Sequence, residues 1–362
     1  MQTTTATRDS SPQSPPRLAR PLAEMPFVSP RGGRSFTRLY LEDRAAFLHE
    51  LTHDGDLFRI RLLDKCPVVI AGPAQLHEAL VERPTDTHRD PLMRHVIYPL
   101  LGEGLITSDG ELWKRQRRIM SPIFTPAQLA RYTGDIVTCA RRHTDVWREG
   151  ESLDVLRETT RITMAVAGKI LFDVDMFSET DALGGALAEG LHWTGERLNS
   201  PLPLAQLALR RALLRVGKRL SGELATWAAK GAARLERPVF LPTAADRRMT
   251  EVVRALDQRV QRMIDARRAD GSERRDLLGR LLAAHDDEAG GMSDKQLRDE
   301  IITLFVAGHE TTASTLAWAL DLLARHPDVY RGVRAQVDAL DGPPRYEDLP
   351  RLDLLVRVFK ET

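Results

Sequence analysis

From Ser293 to Pro327 the sequence runs without a proline, with apolar residues at helical spacing: Leu297, Ile301, Leu304, Phe305, Leu316, Leu320 and Leu323. Ser293, with Gln296 three residues on, has the form of a capping box, and Pro327 after His326 stops the pattern. Unbroken, such a helix of about 33 residues is roughly 50 Å long, the width of a domain. The rest of the chain must be built around it, so its midpoint is expected deep inside the molecule. At that midpoint stands Ala307-Gly308-His309-Glu310-Thr311-Thr312. Glycine costs about 1 kcal/mol against alanine in a helix interior, and a buried carboxylate is expensive unless paired. The cluster needs a reason.

Two readings of the sextet stand side by side. In one, Gly308 lets a flat rigid group approach the helix. Thr311 bonds back to the Ala307 carbonyl and loosens the ladder, and Glu310 supplies an ionisable group for handling a proton or an oxygen species. In the other, Gly308 simply allows a close helix–helix contact. His309-Glu310 also resembles the start of a zinc-protease helix, but the second histidine that motif requires four residues on is Ala313. No phosphate-cradling glycine loop, strand-to-helix nucleotide fingerprint or nucleophile elbow is present.

A second cluster lies at Gly110-Glu111-Leu112-Trp113-Lys114-Arg115-Gln116-Arg117-Arg118. Trp113 and Arg117 are four apart and share a helical face. An indole N–H beside a guanidinium makes an anion clamp, because arginine grips carboxylates with two parallel hydrogen bonds. A core tryptophan with solvated arginines is the alternative.

The pattern elsewhere predicts a mainly α fold with a small β region. Helices are expected over 37–51, from Pro73 through Val81, and over 110–120, 126–147, 155–172, 178–197, 204–235, 245–268 and 275–285. Leu57–Leu63 and Val68–Ala71 read as a β-hairpin around Asp64-Lys65-Cys66-Pro67. Residues 1–34, rich in Pro, Ser and Arg, read as a disordered tail before one domain over 35–362. Acids and bases nearly cancel, 51 against 52, for a net charge of +1, which argues against nucleic-acid binding. No apolar run is long enough for a transmembrane anchor, and two cysteines are too few for a disulfide framework, so a cytoplasmic setting is expected. The basic, amphipathic stretch 204–219 reads as the solvated face of a packed helix or lid, with a membrane-surface role as the lesser reading.

Taken together, in this order and separation, the two clusters resemble the cytochrome P-450 family of haem-thiolate monooxygenases. Gly110, Trp113, Arg117, Pro122 and Phe124 match the family's third long helix and its exit, and Ala307–Thr312 matches the oxygen-binding motif of its long central helix. The resemblance implies haem as cofactor, with Trp113 and Arg117 on a propionate, and with Ala307 and Gly308 facing the haem. Glu310 and Thr311 would deliver protons to bound dioxygen. It further implies a small apolar organic substrate, O2, and electrons from a separate ferredoxin, reductase or flavoprotein. Leu349-Pro350 through Phe359-Lys360-Glu361 resembles the approach to the family's glutamate–arginine helix, with Glu361 as that glutamate. The arginine partner and the loop carrying the thiolate cysteine are not among these 362 residues, and neither Cys66 nor Cys139 suits the ligand role. The expectation is therefore an incomplete fold that holds the distal half of the site and does not itself form thiolate-ligated haem. The rival is a helical binding or scaffold protein that kept the fold and lost catalysis.

Overall fold

The computed structural model describes residues 25–30, 35–51, 53–62, 66–83, 87–175, 180–200, 202–236, 238, 243–270, 276–285 and 292–362. These divide into two compact units, Met1–His88 and Arg89–Thr362, where the sequence reading drew a single domain from residue 35.

In the first unit the helix expected over 37–51 is two, α1 (Phe36–Glu42) and α2 (Arg44–Leu51). Asp43 breaks it with an extended backbone, and its carboxylate accepts the Ala46 N–H at 3.0 Å to start the second. The hairpin forms as β1 (Leu57–Arg59) and β2 (Val68–Ile70), antiparallel, with Phe58 opposite Val69. The tail expectation fails at 25–30. Arg59 donates its backbone N–H to the Pro26 carbonyl, and Val28 donates to the Arg59 carbonyl, both at 2.8 Å, so this piece lines the hairpin edge. Residues 1–24 and 31–34 of that expected tail lie outside the described residues. Helix α3 (Pro73–His77) opens on its proline and runs into a π-helical turn, Glu78–Glu82. Phe36, Leu39, Phe47, Leu51, Phe58 and Ile60 form this unit's core.

The second unit is helical among its described residues. It comprises α4 (Pro91–Leu101), α5 (Gly110–Met120), α6 (Pro126–Thr144), α7 (Val155–Phe172), α8 (Thr180–Asn199), α9 (Leu202–Gly217), α10 (Gly222–Arg234), α11 (Ala244–Asp270), α12 (Leu277–His285), α13 (Asp294–Arg325), α14 (Pro327–Asp338) and α15 (Asp353–Glu361). One continuous core draws Leu100, Met120, Phe172, Leu187, Leu256, Leu281 and Phe305 from seven of these helices. The single helix expected over 204–235 is a hairpin. The chain turns between Gly217 and Gly222, where Gly222 takes a φ of +65° that favours glycine. Small residues let the two arms lie close, since a Cβ built on Gly217 would sit 3.4 Å from that of Ala228. Arg211, Arg215, Lys218 and Arg219 are exposed, as expected of a solvated face on a packed helix. No described helix is long and apolar enough to cross a membrane.

Candidate functional site

Helix α13 begins on the expected capping box: Ser293 accepts the Gln296 N–H while the Gln296 side chain accepts the Ser293 N–H. Its 32 residues rise roughly 48 Å at 1.5 Å each. Its first half, Leu297 and Asp299 through Val306, is buried. The interior midpoint expected from its length is only half realised. His309 and Ala313 are buried, Ala307 and Gly308 half-buried, and Glu310 and Thr311 exposed. Among the described helix pairs, α7 packs along α13 most extensively.

That packing corrects the role expected of Gly308. A Cβ built there would lie 3.5 Å from Ala167 Cβ and 3.9 Å from Leu171 Cδ1, so its bare side faces α7. Two hydroxyls pin the same face. Thr163 Oγ1 is 3.0 Å from the His309 carbonyl, and Thr159 Oγ1 is 3.0 Å from the Ala313 carbonyl. His309 donates from Nδ1 to the Phe305 carbonyl at 2.6 Å, and burial holds its imidazole below the ordinary pKa. The expected back-bond is present: Thr311 Oγ1 donates to the Ala307 carbonyl at 2.9 Å. Glu310 beside it loses enough water to the surrounding protein to lift its carboxyl above the usual range.

Helix α5 forms over the expected span, opening at Gly110 with φ +62°. Arg89 braces its entry by donating to Asp109 at 2.7 Å. Trp113 is half-buried and Arg117 exposed, one turn apart, and neither side chain makes a hydrogen bond or ion pair among the described residues. No hydrogen bond joins this pair directly to the α13 sextet.

The connection runs instead through residues that sequence reading passed over. Asp299 and Glu300 are buried among the apolar positions of α13. Asp299 accepts the Glu103 N–H at 2.9 Å and Glu300 the Leu105 N–H at 3.0 Å, tying the loop before α5 to the central helix. Buried Gln116, next to Arg117, donates to the Glu103 carbonyl at 2.8 Å and accepts from Ser108. Two adjacent acids inside an apolar stripe were the available signal.

Glu361 is exposed in the last turn of α15, without an ion pair among the described residues. Cys66 is exposed, and burial pushes the Cys139 thiol up, away from the thiolate that ligates iron. No cluster of three metal-ligating side chains occurs among the described residues. Trp113 and Arg117 leave an indole N–H and a guanidinium without a protein partner among the described residues, and on α13 the half-buried Ala307 lies beside the exposed Thr311 hydroxyl.

The profile of the family described as Cytochrome P450 matches residues 42–362. The chain is 35% identical over 320 residues to cyclooctatin synthase of Streptomyces melanosporofaciens, covering 87% of this chain and 62% of that protein. It is 29% identical to pentalenene oxygenase of Streptomyces avermitilis, covering 87% and 63%. Cyclooctat-9-en-7-ol 5-monooxygenase of S. melanosporofaciens is 31% identical, covering 87% and 62%. The chain thus spans about three fifths of the length of these curated relatives. Among solved structures, a crystal structure of the cytochrome P450DA heme domain superposes with a TM-score of 0.65 at 23% identity, covering 93% of this chain and 69% of that one, a likeness of fold.

Proposed function

The chain belongs to the cytochrome P450 family, and from that premise we propose that it is part of a haem-dependent monooxygenase that inserts one oxygen atom of O2 into an apolar organic substrate. The observation that carries this reading is the family match across residues 42–362, joined to the free donors of Trp113 and Arg117.

Haem, when bound, supplies the oxygen activation; the protein supplies binding, orientation and protons. Arg117 and the Trp113 indole N–H hold a propionate by charge-assisted hydrogen bonds. Ala307 leaves room beside α13. Glu310, its carboxyl raised by desolvation, spends more of its time protonated near neutrality than an ordinary glutamate and feeds the adjacent Thr311 hydroxyl. Thr311, whose proton rests on the Ala307 carbonyl in this structure, would release that proton outward as it accepts the one from Glu310. Gly308 belongs to the α7 contact and has no part in this. The names of the relatives favour a cyclic, largely hydrocarbon alkene or alcohol as substrate. Electrons come from a separate ferredoxin, reductase or flavoprotein, in the cytoplasm.

Haemin titration of the protein and of a Trp113→Phe/Arg117→Met variant tests the clamp. Uptake falling at least about tenfold in the variant supports it, as expected for the loss of charge-assisted bonds, and equal uptake removes the clamp. The reduced, carbon-monoxide-bound spectrum tests the ligand. A thiolate-type Soret band from these 362 residues alone would overturn the exclusion of Cys66 and Cys139.

A further inference from the structure

Glu300 is fully buried. Its Oε2 accepts the Leu105 N–H at 3.0 Å, while Oε1 has no partner among the described residues. Thr303, one turn on and 1% exposed, has an unpartnered Oγ1 as well. Both orphaned atoms belong to side chains that meet the same short backbone. A Cβ built on Gly104 would lie 2.1 Å from Thr303 Oγ1, so only glycine lets the loop come this close. Two buried polar atoms left unmatched on side chains one helical turn apart are what an internal water normally serves.

The charges around the site divide its two acids. Lys295 and Arg298 both reach Asp299, Arg298 at 3.0 Å, and Arg298 also holds Asp257 of α11 at 2.6 Å. From the loop, Glu103 turns its carboxylate to Arg94 at 3.5 Å. No cation pairs with Glu300 among the described residues. Both nearby cations are therefore committed to Asp299, and a charge on Glu300 beside it would have no counter-ion among the described residues.

We infer that Glu300 is a neutral acid whose Oε1 proton is shared with Thr303 Oγ1 across one internal water, and that this acid–water–hydroxyl unit is the latch positioning the 102–108 loop and helix α5. Burial, acting with the Asp299 charge and against the Leu105 bond, pushes the Glu300 carboxyl up to about 8, in keeping with the geometry. The latch reaches α5 through Gln116, the neighbour of Arg117, and in that respect it rests on the reading of Trp113 and Arg117 as the haem clamp. Glu300 acts through this loop, so it is a positioning residue.

The full chain without haem suffices for the test. Infrared difference spectra at neutral pH should show a protonated-carboxyl C=O band that is absent from Glu300→Gln and displaced in Thr303→Val. Exchange of the Leu105 amide should quicken at least about tenfold in Glu300→Ala, the loss of one buried hydrogen bond, and return to the parent rate in Glu300→Gln, which still accepts that N–H. A raised carboxyl pKa gives stability that is complete below the ordinary 4.5 and lost as pH rises towards 8, so the parent should weaken over that window and Glu300→Gln should not. Should Glu300→Ala not fold, the Thr303→Val band shift and the Glu300→Gln pH profile decide alone. Absence of the acid band, unchanged Leu105 exchange in Glu300→Ala, or a Glu300→Gln variant behaving like the alanine overturns the inference. None of these readouts needs haem, so their failure leaves the clamp standing, and haemin titration judges the clamp separately.

Discussion

Thr163 of α7 sets its hydroxyl 3.0 Å from the carbonyl of His309, inside the motif of the long helix. That oxygen lies within the same turn of the helix as the Thr311 back-bond, so α7 braces α13 beside it. Thr163 Oγ1 also has own-helix acceptors, the Thr159 carbonyl at 2.9 Å and the Thr160 carbonyl at 3.2 Å, and shares its proton among the three. Thr163→Val keeps the shape and removes the hydroxyl. It should cost about 1 kcal/mol, the usual worth of one such bond. Adding Thr159→Val should bring the loss to about 2 kcal/mol if the sites act independently. Urea denaturation of the two variants measures both figures.

Gly308 offers a test with opposite signs. A methyl at 3.5 Å from Ala167 Cβ is an ordinary contact, so Gly308→Ala fits and gains helix propensity of about 1 kcal/mol. Gly308→Leu must push α7 and α13 apart and should cost about 1–3 kcal/mol by overpacking. Thermal melts should move up for alanine and down for leucine. If a flat group lay against Gly308, both variants would impair its binding, and alanine would show no gain in the haem-loaded protein.

Local chemistry made much of this readable beforehand, and tertiary chemistry hid the rest. Ser293 with Gln296 and the Thr311 back-bond depend on residues three or four apart, and both formed as expected. Helix α4 went unread because Pro91 and Pro99 look like loop punctuation. In fact Pro91 opens the helix, and Pro99 is tolerated within it. The 204–235 stretch looked continuous because no proline interrupts it, and the turn rests on Gly217 and Gly222. The bare side of Gly308 could not be assigned to a face without knowing where α7 lies. Glu300 carried no local sign of neutrality, since that depends on Asp299 drawing the nearby cations.

The two ionisable members of the motif should leave opposite marks on stability. His309, depressed below 6.5 by burial, binds its proton more readily unfolded than folded. Its contribution is complete above 6.5 and lost as pH falls below that value. Glu310, raised above 4.5 by desolvation, contributes fully below 4.5 and loses that contribution as pH rises. Urea midpoints against pH should therefore show a weaker acid limb in His309→Gln and a weaker decline on the rising side in Glu310→Gln. Parallel curves for a variant and its parent would mean that the side chain is not held as described.

Thr311 separates chemistry from stability. Its hydroxyl is exposed and bonds only within its own helix, to the Ala307 carbonyl, an interaction that slightly weakens a helix. Thr311→Val should accordingly leave stability within about 0.5 kcal/mol of the parent, as for surface changes generally. Valine keeps the branch at Cβ, so the helix face and the room beside Ala307 stay the same. What it removes is the hydroxyl that follows Glu310 in the sequence and is proposed to relay its proton. If the pair delivers protons, oxygen insertion by a haem-loaded enzyme that contains this chain together with a thiolate ligand should fall by roughly 10²-fold, the low end for a lost acid–base group. Thr311→Ser should restore most of it. Glu310→Gln should depress the rate too and flatten its pH profile, because the donor has gone while the acceptor remains. Full oxygenation by Thr311→Val at unchanged stability would take Thr311 out of proton delivery and leave it as a feature of helix shape.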